Sequence, residues 1–156
     1  MLRGIDPAIS AELLHVMMLM GHGDDLVICD VNHPSASIAT ETVYGSLLSV
    51  TGCGIPALAR AVLTLFPLDE FVDAPVKRML DVHDPSRLHP VQEAMQRVAD
   101  EAAGRPVAIE PLERFAFYAA ARRSFAIVRT SDPGPYGCFI LKKGVIERAD
   151  QPASRS

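Results

Sequence analysis

The residue of this sequence best suited to proton transfer is a histidine between two glycines, His22 in the run Gly21-His22-Gly23. An imidazole has an ordinary pKa of about 6.5, so it can donate or accept a proton near neutral pH. Flanking glycines allow backbone angles and close approaches that other residues resist. The same pattern also fits a histidine that hydrogen-bonds a carbonyl in the last turn of a preceding helix. Taken alone, it leaves both interpretations open.

A carboxylate stands at the far end of the apolar run that follows. Asp30 comes directly after Leu26-Val27-Ile28-Cys29, which is typical of a strand buried on both faces. Ligands of open α/β sheets bind beyond the carboxyl ends of strands, although an Asx turn explains Asp30 equally well. At about 3.3 Å per residue, residues 25 to 30 span roughly 17 Å. His22 and Asp30 therefore share a pocket only if the turn folds back; otherwise they serve different copies of the site in an oligomer.

Two later segments carry side chains suited to a polyhydroxylated ligand. Arg114 and Tyr118 lie four residues apart, on one face of a predicted helix, and both supply directional hydrogen-bond donors. A surface pair above an aromatic core is the alternative. In Tyr136-Gly137-Cys138, the tyrosine can stack on a ligand ring or donate a hydrogen bond, and a tyrosine that merely anchors the turn is equally ordinary.

Metal and nucleic-acid sites are disfavoured. The candidate metal ligands match no recognised spacing, and no metal or other cofactor is predicted; these are His22, Asp24, Asp30 and His33. A formal net charge of −4 without a basic stripe argues against nucleic acid. The remaining histidines are interpreted as structural or surface residues: His15, His83 and His89.

Composition indicates a globular protein of the cytoplasm. No run approaches the ~20 apolar residues that cross a bilayer, so no membrane partner is expected. The first residues do not form the apolar segment of a signal peptide. The cysteines are three, far apart and without a Cys-x-x-Cys motif, which favours free thiols in a reducing compartment.

Hydrophobic periodicity predicts helices alternating with strands. The predicted helices cover 11–20, 55–66, 89–103 and 113–123, and the predicted strands cover 26–29, 76–82, 107–109, 125–129 and 139–141. One edge strand is predicted near 42–44, inside a loop-rich stretch. This alternation indicates an α/β fold, a three-layer α/β/α single domain around a mixed sheet over residues 1–146. A polar tail that frays is expected over 147–156.

Several ordered motifs resemble the L-fucose mutarotase branch of the RbsD/FucU family, from residue 5 to about 145. They are Ile5-x-Pro7-x-Ile9-Ser10-x-Glu12-Leu13-Leu14, Met20-Gly21-His22-Gly23-Asp24, Arg114-Phe115-Ala116-Phe117-Tyr118, Phe125-Ala126-Ile127-Val128, Tyr136-Gly137 and Leu141-Lys142-Lys143-Gly144-Val145. The related D-ribose pyranase branch is less similar, particularly around Arg114 to Tyr118.

The resemblance implies an RbsD-like fold and an enzyme that interconverts cyclic forms of a monosaccharide without metal or organic cofactor. It implies a ring-shaped homo-oligomer, often a decamer, with sites near subunit contacts. By position, His22 would be the catalytic acid/base and Tyr118 a further site residue. The sugar would be bound by Asp30, Arg114, Tyr136, Gly137 and Cys138.

Three departures from the family pattern leave the preferred sugar open. Cys138 stands where the family usually has asparagine, His33 replaces an aromatic or apolar residue, and the loop over 38–54 is longer. A non-catalytic sugar-binding accessory of an uptake system is therefore an alternative, as is D-ribose pyranase-like activity. A metal-dependent hydrolase or lactonase is a further alternative, which predicts that chelation abolishes activity.

Overall fold

The computed structural model describes residues 2–147 and places a central sheet between two layers of helices. In chain order the elements are α1 (Ala11–Leu19), β1 (Asp25–Cys29), α2 (Ser35–Ala39), β2 (Leu47–Ser49), α3 (Ile55–Leu63), β3 (Val76–Met79), α4 (Pro90–Ala103), β4 (Ile109–Leu112), α5 (Arg114–Arg122), β5 (Ala126–Arg129) and β6 (Cys138–Lys142).

The sheet has the strand order β2-β5-β1-β6-β3-β4. β6 runs antiparallel to both of its neighbours, whereas the other adjacent strands pair in parallel. The predicted α/β fold with a mixed sheet is confirmed. Because β6 runs against the central strand β1, the residue after β1 meets the residues before β6, and the Asp30 N–H donates to the Gly137 carbonyl at 2.9 Å.

Side chains of the central strand alternate between two apolar cores. Leu26 and Ile28 belong to the core that α1, α3 and α4 cover, whereas Val27 and Cys29 belong to the core under α2 and α5. All four are fully buried. Burial on both faces explains why this strand is uniformly apolar, and it confirms the three-layer arrangement.

The edge strand lies later in the chain than predicted. Residues 42–44 combine β-branched and aromatic side chains, which favour a strand. Instead, the N–H groups of Val43 and Tyr44 bond to carbonyls just ahead of β5, and the run that pairs with β5 is Leu47–Ser49. The short helix α2 also lies within this predicted loop region. Tertiary pairing, rather than local propensity, selected the strand.

The strand predicted over 107–109 begins two residues later, as Ile109–Leu112. Val107 is bound to α4 instead, because its N–H donates to Asp100 and its carbonyl accepts from Gln96, both at 2.8 Å. β4 lies at the sheet edge, where its Pro111 is tolerated because an edge strand need not donate every N–H.

The helices and the C-terminal tail complete the description of the chain. Within residues 2–147, no helix is both long and apolar enough to cross a bilayer. The predicted polar tail, 147–156, lies outside the described residues except for its first residue.

Candidate functional site

A cavity of about 220 Å³ opens where β1 and β3 end and β6 begins. We call it the strand-end cavity. Its walls come from the loops after β1 and β3, one face of α5 and the turn before β6, and they combine polar with apolar groups. The lining residues are Asp30, Asn32, His33, Met79, Val82, Arg114, Tyr118, Pro135, Tyr136 and Cys138.

Asp30 is the buried carboxylate of this cavity, with 2% of its surface exposed. One carboxylate oxygen accepts the N–H groups of Asn32 and His33, at 2.8 and 3.1 Å. The other accepts the N–H of Gly137 at 2.9 Å. Burial raises the pKa of Asp30, and these hydrogen bonds oppose the rise. The backbone therefore holds the carboxylate in one orientation.

Gly137 fits this turn because it has no side chain. A Cβ at this position would lie 2.4 Å from Ile55 Cδ1 and 3.4 Å from the Asp30 Cβ. Such a Cβ would force the Ile55 side chain to move, whereas its contact with Asp30 would be an ordinary one. Gly137 therefore serves the cavity through its backbone, as the donor to Asp30.

Arg114 and Tyr118 enter the cavity from the first turns of α5. Glu113 begins that helix by accepting the N–H groups of Phe115 and Ala116, at 2.8 and 3.2 Å. The exposed guanidinium of Arg114 lies 4.7 Å from the centre of the Phe115 ring. Burial raises the pKa of Tyr118, which is therefore a neutral phenol with a hydrogen to donate at neutral pH.

Cys138 and His33, two residues that depart from the family pattern, contact each other. The Cys138 Sγ lies 3.6 Å from His33 Nδ1 and 3.6 Å from an Asp30 oxygen. Burial raises the pKa of the Cys138 thiol and lowers that of His33 to about 4. At neutral pH this corner therefore holds a neutral thiol and a neutral imidazole.

His22 lies at the opposite end of β1. Its turn contains Gly23 at a φ of 84°, a left-handed conformation that favours glycine. The half-exposed imidazole places Nε2 3.1 Å from Asp69 Oδ1 and its ring edge against Phe71, with 5.4 Å between centroids. Burial opposes the charge of Asp69, but the Phe71 N–H and His22 outweigh it and lower the pKa of Asp69. An ionised carboxylate only accepts hydrogen bonds, so His22 donates one to Asp69 through Nε2.

Within one subunit, the structure brings together five of the predicted site residues as cavity walls: Asp30, Arg114, Tyr118, Tyr136 and Cys138. Gly137 supports them from behind. His22 does not line this cavity. It contacts Phe71, which lines a larger cavity of about 650 Å³ at the opposite ends of the strands.

Asp69 is the site residue that sequence reasoning missed. It lies 47 residues from His22 in the chain, in no recognisable motif. The Asp69 N–H donates to the Lys142 carbonyl at 3.0 Å, and this pairing carries the loop to the histidine turn. Within residues 2–147, no three His, Cys, Asp or Glu side chains gather closely enough to hold a metal ion.

Comparison with known proteins gives a consistent picture. Residues 3–146 match the model of the RbsD / FucU transport protein family. The chain is 40% identical over 152 residues to the fucose mutarotase of Bos taurus, covering 96% of this chain and 97% of that one. It is 39% identical over 149 residues to the L-fucose mutarotase of Actinobacillus pleuropneumoniae serotype 5b (strain L20), covering 93% and 97%. A solved structure, the fucose mutarotase of Streptococcus pneumoniae in complex with L-fucose, superimposes with a TM-score of 0.84 at 34% identity, covering 94% of this chain and all of that one.

Proposed function

This chain belongs to the RbsD/FucU family, and we propose that it is a monosaccharide mutarotase acting on L-fucose or a related sugar. The observation that carries the proposal is the strand-end cavity, in which a buried carboxylate, a guanidinium and a phenol converge. Two relatives at about 40% identity are an L-fucose mutarotase and a fucose mutarotase.

The size and lining of the cavity suit a monosaccharide. A volume of about 220 Å³ is below the ~300 Å³ at which pockets for drug-sized ligands begin. Asp30 accepts hydrogen bonds, whereas Arg114 and Tyr118 donate them, so together they match the mixed hydroxyls of a sugar. Met79 and Val82 add an apolar wall that suits the methyl group of a 6-deoxy sugar such as L-fucose.

The reaction requires two proton movements. The ring oxygen of the sugar gains a proton while its anomeric hydroxyl loses one, and the ring opens to an aldehyde. Rotation about the bond to the carbonyl carbon and reclosure then give the other anomer. General acid–base catalysis of this kind supplies roughly 10²- to 10⁴-fold. In our proposal His22 is the acid/base, Asp69 holds its ring, and Arg114 and Asp30 keep the sugar in register.

His22 reaches the sugar from a neighbouring copy of the chain. Within one subunit, His22 and the cavity lie at opposite ends of β1. A head-to-tail contact between copies would place His22 of the partner subunit at the open side of the cavity. Repeated contacts of this type close into a ring when the rotation between copies permits it. Such a ring would be the ring-shaped homo-oligomer, often a decamer, that the family resemblance implies.

Exposed apolar residues at both ends of β1 support such a contact. Near His22, Met18 and Phe71 are 79% and 78% exposed. Beside the cavity, Val82 and Phe115 are 44% and 65% exposed. Large apolar side chains exposed together mark interaction surfaces. The free thiols of the three cysteines fit activity in the reducing cytoplasm.

Anomer exchange measured by saturation-transfer NMR tests the proposal. The chain should accelerate exchange of L-fucose more than that of D-ribose, with the same rate in the presence of EDTA. Faster exchange of D-ribose would reassign the chain to pyranase-like activity. Sugar binding without faster exchange would indicate a binding accessory, and activity lost on chelation would indicate a metal-dependent enzyme.

A further inference from the structure

Tyr136 has an unusual backbone conformation beside the cavity. Among residues 2–147 it is the one non-glycine residue with a positive φ, at 60°. A side chain in this left-handed region is strained, and such strain persists only where surrounding groups hold the residue in place. The contacts of Tyr136 therefore identify what holds it.

Tyr136 is held at three separate points. Its ring stacks on the imidazole of His89, with centroids 4.6 Å apart and planes inclined by 25°. Its hydroxyl accepts the Val82 N–H at 3.1 Å and helps to lower the pKa of the neighbouring Asp81 carboxyl. Its carbonyl accepts a hydrogen bond from Gln92 Nε2 at 3.3 Å.

Asp81 and His89 form a buried pair behind the tyrosine. His89 Nε2 lies 2.9 Å from Asp81 Oδ2, and their side chains are only 9% and 6% exposed. Backbone hydrogen bonds, first that from His83, lower the pKa of Asp81 to about 2. The ionised carboxylate only accepts hydrogen bonds, so His89 Nε2 donates to it.

Gln92 ties this pair to the sheet. Its side-chain oxygen accepts the His89 N–H at 3.3 Å, and its amide nitrogen donates to the Met79 carbonyl at 2.8 Å as well as to Tyr136. Met79 ends β3. One amide therefore joins the strand, the start of α4 and the strained tyrosine.

We propose that Asp81 and His89 are positioning residues for sugar binding, holding Tyr136 so that its ring forms a fixed wall of the strand-end cavity. The inference rests on the proposed function and deepens it. Tyr136 lines the cavity and His89 does not, so the tyrosine ring stands between the imidazole and the sugar. The Tyr136 hydroxyl is held by the Val82 N–H, so Tyr136 presents its ring to the cavity.

Removing the stacked ring tests the role of His89. In His89→Ala, KM for L-fucose should rise about three- to tenfold, the range expected for one aromatic pair. The value of kcat should change by less than about twofold, because sugar and transition state lose the same wall. His83→Ala is the matched control, since that exposed side chain lies in the same loop and its backbone N–H is retained. An unchanged KM in folded His89→Ala would overturn the proposal.

A double-mutant cycle tests whether Asp81 acts through the tyrosine hydroxyl. Asp81→Asn and Tyr136→Phe should each raise KM, and the double variant should raise it little beyond the larger single effect. If the two effects multiply, Asp81 serves only its own loop and the proposal fails. Circular dichroism shows whether each variant folds. If His89→Ala does not fold, the more conservative Asp81→Asn is used to test the pair.

Ring resonances of Tyr136 in the sugar-free protein give an activity-independent readout. They should shift in His89→Ala, whereas those of Tyr44, which bonds to Glu12 elsewhere, should not. Absence of a shift overturns the anchoring of the ring. If the unmodified chain neither binds sugar nor accelerates exchange, the proposed function fails; a shifted Tyr136 then still supports the anchoring by His89.

Discussion

The two ends of β1 differ in how they hold their polar residues. At the carboxyl end Asp30 lines a cavity, whereas at the amino end His22 is half-exposed in a turn beside apolar side chains. Asp30 accepts three backbone hydrogen bonds and is almost fully buried. The His22 ring is fixed by Asp69 and Phe71, with 48% of its side chain exposed. One end is thus organised to hold a ligand, and the other to present a proton-transfer group outward. If both ends serve one site, as we propose, that site needs two copies of the chain.

The largest expected effect separates the two ends by function. His22→Ala should reduce anomer exchange by roughly 10²- to 10⁴-fold, because general acid–base catalysis is lost. L-fucose binding at the strand-end cavity should persist, since the binding residues remain. Saturation-transfer NMR measures the exchange and a sugar titration measures the binding. His15→Ala is the control, because His15 is an exposed histidine in the preceding helix α1. Unchanged exchange in His22→Ala would reject His22 as the catalyst.

A smaller effect is expected at the binding end. Arg114→Met should raise KM about ten- to a hundredfold, in line with the loss of a charged hydrogen bond, and change kcat much less. Arg123→Met, at the exposed far end of the same helix, should leave both parameters unchanged. A loss confined to kcat would instead place Arg114 in the chemical step.

The smallest effect concerns the support of His22. Asp69→Asn should lower kcat about tenfold, as is typical when an orienting carboxylate is removed, with little change in KM. His22 then loses its fixed ring orientation but keeps its proton-transfer group. An equal loss in His22→Ala and Asp69→Asn would contradict a merely orienting role.

Asp69 also predicts a pH dependence of stability. Its pKa is lower in the folded state than its ordinary value of 3.8. The unfolded chain therefore takes up this proton first, and the contribution of Asp69 to stability is full above that value and lost as the pH falls through the folded pKa. Thermal unfolding followed from neutral to acid pH should show a shallower loss in Asp69→Asn than in the unmodified chain.

Much of the binding end was accessible from sequence because it depends on local signals. Asp30 follows an apolar strand, and Arg114 and Tyr118 share a helical face, so element ends and spacing made them candidates. The family resemblance then assigned them to sugar binding. Asp69 and the Asp81–His89 pair were not accessible. Each depends on loops that meet only after β6 pairs with β1 and β3, and His89 on its own resembles any structural histidine.

The edge of the sheet illustrates the same limit. Residues 42–44 have the propensity of a strand, yet Leu47–Ser49 pairs with β5. Local chemistry states what a segment can form, whereas pairing partners determine what it does form. The contact between His33 and Cys138 is likewise set by the fold, since 105 residues separate them in the chain.

Complementation between a variant without the catalytic histidine and a variant with weakened sugar binding tests most directly whether the two ends of β1 meet across copies. His22→Ala and Arg114→Met, carrying different affinity tags, are co-expressed and purified through both tags. If copies meet head to tail, on the order of a quarter of the contacts in a randomly mixed ring join an intact His22 to an intact cavity. At L-fucose concentrations far below the KM of Arg114→Met, anomer exchange should then recover well above that of either variant alone. Exchange no faster than the average of the two variants, in an assembly that contains both, would contradict a site shared between copies.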